Sequence, residues 1–262
     1  EGSNSPHNFS LKPSHAKMLE EADIVFWIGE DLESFMEKPL NSLAKNAVQI
    51  SFMDLKSIEK LKFREMSEHD DHGHDDHHGH EDEDDDSSHD GHNHGEFDAH
   101  IWLDPMNAKA MVLEIAHELS ELDPQNKSNY EKNAEKMISS LDDLIDQVST
   151  IVPKNPSFIV FHDAYQYFEN RFNIKAAGAL TLNPEVLPGA KQIAEIQELI
   201  EHDNVKCIFS EPQYNPKIIE VLASDMDIIT GIIDPLGAVI DAGPVMYDNL
   251  ILEIANSLKS CA

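Results

Sequence analysis

The run Asp123–Thr150, "DPQNKSNYEKNAEKMISSLDDLIDQVST", decides how this chain is built. Asp-Pro is a helix-opening pair, and no proline or glycine follows until Pro153. Tyr130, Ala134, Met137, Ile138, Leu141, Leu144, Ile145 and Val148 recur at helical spacing and form a narrow apolar stripe. At about 1.5 Å per residue such a helix spans on the order of 40 Å. A helix that long with so thin a stripe is expected to act as a strut between two bodies.

Both flanks alternate between helical and strand-like patterns. Upstream, "PSHAKMLEEAD" (13–23) reads as a helix and runs into "DIVFWIG" (23–29), an apolar strand closed by Gly29. A helix over 32–45 and the strand "AVQIS" (47–51) follow. Asp104-Pro105 opens a further helix, an N-cap carboxylate followed by a proline where no N–H is needed, with Met111, Val112, Ile115, Ala116 and Leu119 along its apolar face. Downstream, the strands "SFIVFH" (157–162), "IKAAGAL" (174–180), "VKCIFS" (205–210) and "DIITGIID" (227–234) alternate with helical segments over 163–172, 189–203, 215–225 and 244–260. Alternation of this kind indicates parallel sheets covered by helices. The expected fold is α/β: two lobes with mostly parallel sheets flanked by helices, joined by the one long helix. The N-terminal lobe then covers 1–122, the inter-lobe helix 123–152 and the C-terminal lobe 153–262.

A low-complexity run interrupts the first lobe over 68–96. Between Glu68 and Asp98 it holds fourteen acidic residues and no Lys or Arg, with His69, His72, His74, His77, His78, His80, His89, His92 and His94 interleaved. It has almost nothing apolar to bury and is expected to be disordered. The formal net charge of the chain is −31, and the remainder without this run is acidic as well. That argues against nucleic acid and anionic lipid as partners and suits a protein that attracts cations. No stretch approaches the roughly 18 apolar residues of a membrane span. The opening "EGSNSPHNFS" has neither the charged nor the apolar region of a signal peptide, so an exported form is expected to have lost one already. Cys207 and Cys261 are the two cysteines. They fit either a disulfide between a strand and the last helix, which needs an oxidising compartment, or a buried thiol and a separate tail thiol.

Six histidines lie outside the acidic run. His15, His117 and His202 fall within helical segments among charged neighbours and read as surface or cap residues. His7 follows Pro6 in an extended phrase, His100 precedes a helix cap, and His162 closes an apolar strand. In open α/β sheets ligands bind at the carboxyl ends of strands. Asp234 ends another such strand; it fits either a ligand or the cap of a turn. Three imidazoles and one carboxylate make a borderline-soft, four-ligand set suited to Zn²⁺.

The phrases "SPHNFSLKPS", "DAHIWLDP", the paired Asp-Pro helix starts, "FHDAYQYF" and "IIDPLGA", in that order and with an acidic histidine-rich insert before the second, resemble one family across essentially the whole chain. It is the periplasmic zinc-binding component of bacterial high-affinity zinc ABC transporters, a metal-receptor class whose two lobes are joined by a rigid helix. The resemblance implies His7, His100 and His162 as imidazole ligands, with Asp234 at a fourth position that water takes in some members. Manganese-binding relatives have Glu where this chain has His162, which favours zinc. A C-terminal-lobe disulfide, here Cys207–Cys261, is likewise implied. The family carries a strand and a helix ahead of its Pro-His motif, and six residues precede His7 here, so the first lobe is expected to lack an element of its sheet.

The resulting expectation is a non-enzymatic, monomeric periplasmic receptor. It captures Zn²⁺ in the inter-lobe cleft and delivers it to a membrane permease, with the insert as an auxiliary low-affinity trap or sensor. Other readings are a manganese or iron receptor on the same scaffold, a zinc buffering or storage protein, and a zinc hydrolase. The last would need a general base and a substrate pocket, and no His-Glu-x-x-His phrase is present.

Overall fold

A computed structural model describes residues 5–64, 95–181, 184, 188–224 and 226–261 (backbone only at Asn8). The nine insert histidines expected to bind zinc weakly lie outside the described residues. Helices α1 (Pro13–Glu20) and α2 (Glu37–Ser42) accompany strands β1 (Ile24–Trp27) and β2 (Val48–Ser51), which pair in parallel with Ile24 opposite Val48. The helix expected over 32–45 is much shorter, and Pro39 supplies the reason. Its ring is tolerated only in a first turn, so the α-helix begins at Glu37 behind a 3-10 turn, Ser34–Met36. Gly29 ends β1 at φ +152°, where the chain turns beneath Met53; a Cβ there would lie 3.1 Å from the Met53 Cβ.

Helix α3 (Pro105–Leu122) starts as its sequence dictates: the Asp104 carboxylate accepts from the Met106 N–H at 2.8 Å, and Pro105 occupies the first turn. At the second Asp-Pro pair a 3-10 turn, Pro124–Asn126, comes first, and α4 runs from Lys127 to Ile151. Its 25 residues extend roughly 37 Å at the usual helical rise. Ala134, Leu141, Leu144 and Val148 of the predicted stripe are buried, and α4 packs against α3 and α8 (Met246–Leu258).

The second sheet holds β3 (Phe158–His162), β4 (Gly178–Thr181), β5 (Cys207–Ser210) and β6 (Ile229–Ile232), all parallel in the order β4-β3-β5-β6. Helices α5 (Gln166–Phe172), α6 (Ala190–His202) and α7 (Lys217–Ser224) connect the strands. All five residues of β3 are buried, because helices cover both of its faces. Phe158 and Val160 point into a core shared with Ile101, Leu103, Leu141, Tyr165 and Ile251. Ile159 and Phe161 point the other way, onto Ile196 and Ile200 of α6 and Ile219 and Leu222 of α7. The first of these cores also takes in Phe52, Met53 and Ile58, so one apolar body reaches from before α3 to the last helix. A separate small cluster of Leu19, Leu40 and Ala44, joined by Leu11, Val25 and Trp27, holds the N-terminal part. Cys207 at the start of β5 is disulfide-bonded to Cys261 beyond α8, with Cα atoms 5.5 Å apart. Among the described residues no helix is long and apolar enough to cross a membrane.

Candidate metal centre

From β3 the chain passes to β4 on one side of the sheet, and from β5 to β6 on the other. The crevice between the carboxyl ends of β3 and β5 is therefore the switch point where α/β sheets bind ligands. His162 is the last residue of β3 and Glu211 follows β5 directly. Opposite them, His100 precedes the 3-10 turn Ile101–Leu103 that leads to the cap of α3, and His7 sits in the short 3-10 turn Pro6–Asn8. Ser5 fixes that turn by accepting the His7 N–H on its hydroxyl at 3.2 Å.

The three imidazoles converge. Nε2 of His100 lies 3.2 Å from Nε2 of His7 and 3.1 Å from Nε2 of His162. One ligand atom from each falls within 4.8 Å of the others, the single such group of His, Cys, Asp or Glu among the described residues. His100 and His162 are buried and His7 is half-buried. His15, His117 and His202 take no part in this group.

Two carboxylates set the tautomers. Asp98 Oδ1 lies 2.6 Å from His100 Nδ1 and also accepts the His100 backbone N–H at 2.9 Å. Glu211 holds His162 Nδ1 at 3.0 and 3.1 Å with its two oxygens. An ionised carboxylate only accepts, so a ring facing one carries its proton on Nδ1 and presents the Nε2 lone pair to the centre. Two lone pairs facing each other at 3.1 Å repel unless a cation, either a proton or a metal ion, lies between them. Burial and the neighbouring charge of His162 hold His100 well below the ordinary imidazole value. Burial acts the same way on His162, but Glu211, Asp98 and Asp163 together outweigh it and leave His162 above that value. Burial pushes the Asp98 carboxyl up to about 7, although the His100 N–H and the charges of His162 and Arg64 pull it down.

Further bonds fix the supports. Gln166 donates to Asp98 Oδ2 at 3.1 Å, and the Tyr167 hydroxyl donates to the Asp98 carbonyl at 2.6 Å. The Tyr165 hydroxyl donates to Glu211 Oε1 at 3.2 Å. Trp102 lies with its ring 5.3 Å from that of His100, and its indole N–H donates to the Pro235 carbonyl at 2.8 Å. The space enclosed by His7, His100, His162, Glu211 and Gln213 is about 10 Å³, the scale of one water or ion.

Asp234 is placed differently from the three histidines. Its carboxylate accepts from Gln213 Nε2 at 2.8 Å, the Leu236 N–H at 2.9 Å and the Ala238 N–H at 2.5 Å, and it is not in the converging group. Its two backbone donors close the turn after β6, while its neighbours Pro235 and Leu236 line the cavity. Sequence reasoning missed Asp98 and Glu211. Glu211 had the same signal as His162, a polar residue directly after an apolar strand. Asp98 had only its position two residues before His100.

The sequence pattern of the family described as zinc-uptake complex component A, periplasmic (ZnuA), matches residues 1–261. The high-affinity zinc uptake system protein ZnuA of Brucella abortus is 43% identical over 277 aligned positions, which cover 100% of this chain and 83% of that protein. The protein of the same name from Yersinia pestis is 36% identical, covering 98% of this chain and 81% of its own length. Among solved structures, a crystal structure of ZnuA superposes with a TM-score of 0.79 at 22% identity, over 100% of this chain and 89% of that one, and has the same fold. With its long helix, parallel sheets and a match from end to end, the chain belongs to the ZnuA family of periplasmic zinc-uptake components.

Proposed function

We propose that this protein binds one Zn²⁺ through Nε2 of His7, His100 and His162 and delivers it to the permease of a zinc ABC transporter. One observation carries the reading: three imidazoles, two of them buried and fixed as Nδ1–H tautomers by Asp98 and Glu211, aim their remaining nitrogens at one point. Neutral imidazoles in a tetrahedral arrangement suit Zn²⁺, whereas Mn²⁺ favours carboxylate and water oxygens. The proteins named as zinc uptake components in Brucella and Yersinia support the same cargo. The space at the convergence of the three rings is of single-ion scale, which suits capture of an ion.

In this reading the chain divides into lobes over 1–122 and 153–262 about the helix of 123–152. The insert histidines over 68–96 serve as a weak auxiliary trap that raises the local zinc concentration. Asp234 acts as a buttress of the cavity wall, because its carboxylate is already engaged three times. Competition against a chromophoric chelator tests the ligand set. His100→Ala and His162→Ala are each expected to weaken the tightest equivalent of zinc by more than about tenfold, since each removes one of three direct ligands. Unchanged tight binding in both variants would overturn the assignment, and a preference for Mn²⁺ over Zn²⁺ would overturn the cargo.

A further inference from the structure

Three imidazoles leave a tetrahedral ion with one open corner, and the structure points to the residue that governs it. Gln213 lines the same cavity as the three histidines. Its Nε2 donates to Asp234 Oδ1 at 2.8 Å. A carboxylate cannot donate, so the amide has one orientation: the NH₂ faces Asp234 and Oε1 faces away from it. Asp234 is itself held by the Leu236 and Ala238 N–H groups, at 2.9 and 2.5 Å. The chain of bonds therefore runs from the turn after β6, through Asp234, to a Gln213 amide that cannot flip without losing a charge-assisted bond.

Oε1 of Gln213 is buried and has no hydrogen-bond partner among the described residues. A buried acceptor left unmatched is costly, and native structures rarely keep one without a use. Glu211, the other acceptor on this wall, is already spent: both of its oxygens hold His162 Nδ1, and Oε1 takes the Tyr165 hydroxyl as well.

We propose that Gln213 is a positioning residue for the fourth metal ligand: its amide oxygen accepts a hydrogen bond from a water that completes the shell of the ion held by His7, His100 and His162. The inference rests on the three-histidine reading above. It assigns Asp234 a task at the site that needs no metal–carboxylate bond, since Asp234 orients the amide that orients the water. It also makes the fourth corner selective. A ligand that can donate a hydrogen bond is favoured there, and one that can only accept meets the lone pairs of Oε1.

Azide tests this, because it can replace a metal-bound water but has no hydrogen to donate. The full-length protein is loaded with one equivalent of Co²⁺, whose visible bands report the ligand set, and titrated with azide. Gln213→Met removes the acceptor at similar volume and is expected to bind azide roughly tenfold more tightly than the unsubstituted protein, the scale of one lost hydrogen bond. Gln213→Glu places an anion at the same point and is expected to bind azide more weakly than the unsubstituted protein. It also decides the matter should the Met variant fail to fold. Equal azide affinity in all three proteins overturns the proposal while leaving the three-histidine site intact. If His100→Ala leaves the Co²⁺ bands of the unsubstituted protein unchanged, the underlying site is wrong, and the two failures are told apart.

Discussion

At the scale of single residues, the pairs Asp98–His100 and Glu211–His162 carry the most chemistry. Each fixes a ring by its Nδ1–H, so that the side chain meets an ion in the correct tautomer and rotamer with little left to order. Asp98 also accepts from the backbone of the residue it orients and takes a third donor from Gln166, which leaves it little freedom. Replacing Asp98 by Asn or Glu211 by Gln keeps size while weakening the acceptor. Both substitutions are expected to lower zinc affinity by about 10–100-fold without displacing the histidines. Chelator competition measures the loss, and a crystal structure of either variant with its three rings in place separates it from misfolding. An affinity within about twofold of the parent would show that these carboxylates only fill space. His100 and His162 were legible in the sequence from what surrounds them. Asp98 and Glu211 were not, because an acidic residue near a histidine is common and only the fold shows which one faces a ring.

At the scale of elements, helix α3 begins at a residue with two tasks. Asp104 caps the helix through the Met106 N–H, and it receives Arg171 of α5 as a paired fork, Nε to Oδ1 and Nη2 to Oδ2, each at 2.7 Å. Asp104 is buried and Arg171 is about a quarter exposed. The pair therefore ties the segment that carries His100 to the helix that follows His162. Asp104→Ala removes the cap and leaves the guanidinium without its main partner. Caps alone contribute roughly 0.5–2 kcal/mol, so a loss of about 2–3 kcal/mol is expected once the broken ion pair is included. Denaturant unfolding of the metal-free protein measures it; a change below about 0.5 kcal/mol would mean the two contacts are dispensable. The Asp-Pro signal placed the start of α3 correctly. The same signal at Asp123 opens a 3-10 turn before α4, with Asp123 Oδ2 accepting from the side chains of Asn126 and Tyr130. An Asp-Pro pair marks where a helix begins more reliably than how its first turn is closed.

At the scale of the whole molecule, titration separates folding from metal binding. Among the carboxyl and imidazole groups at and beside the metal centre, the folded protein raises three above their ordinary values. Asp98 is pushed up to about 7 and Asp163 to about 6, both chiefly by burial, and His162 is raised by Glu211, Asp98 and Asp163 against its own burial. Each raised group takes up its proton at higher pH in the folded than in the unfolded chain. Its contribution to stability is therefore full below the unfolded value and is lost as pH rises through the folded one. His100 acts in the opposite sense, because burial lowers it. With three groups against one, the metal-free protein is expected to gain stability as pH falls from about 7.5 to about 6. Zinc affinity must fall over the same range, since protons compete for the imidazoles. Calorimetric melting in the presence of chelator, set beside zinc titrations at the two values, checks both slopes. A melting temperature that falls together with affinity would show that the raised groups do not control the folded state.

Local patterns in the sequence were enough to establish the alternation of strands and helices, the long α4, the disorder-prone composition of the insert and the three histidines at strand and helix ends. Each follows from periodicity, from proline and glycine chemistry or from charge, and these act over a few residues. Tertiary structure decided what depends on contacts across the chain. His7 and His100 are 93 residues apart and His100 and His162 are 62 apart, and only the folded chain brings their Nε2 atoms within about 3 Å. The same holds for the choice of Asp98 and Glu211 as their partners, for the turn contacts of Asp234 and for the orphaned oxygen of Gln213. None of these leaves a local trace, because a hydrogen bond is set by where two groups finally meet, and chain spacing says little about that once the intervening segments have folded.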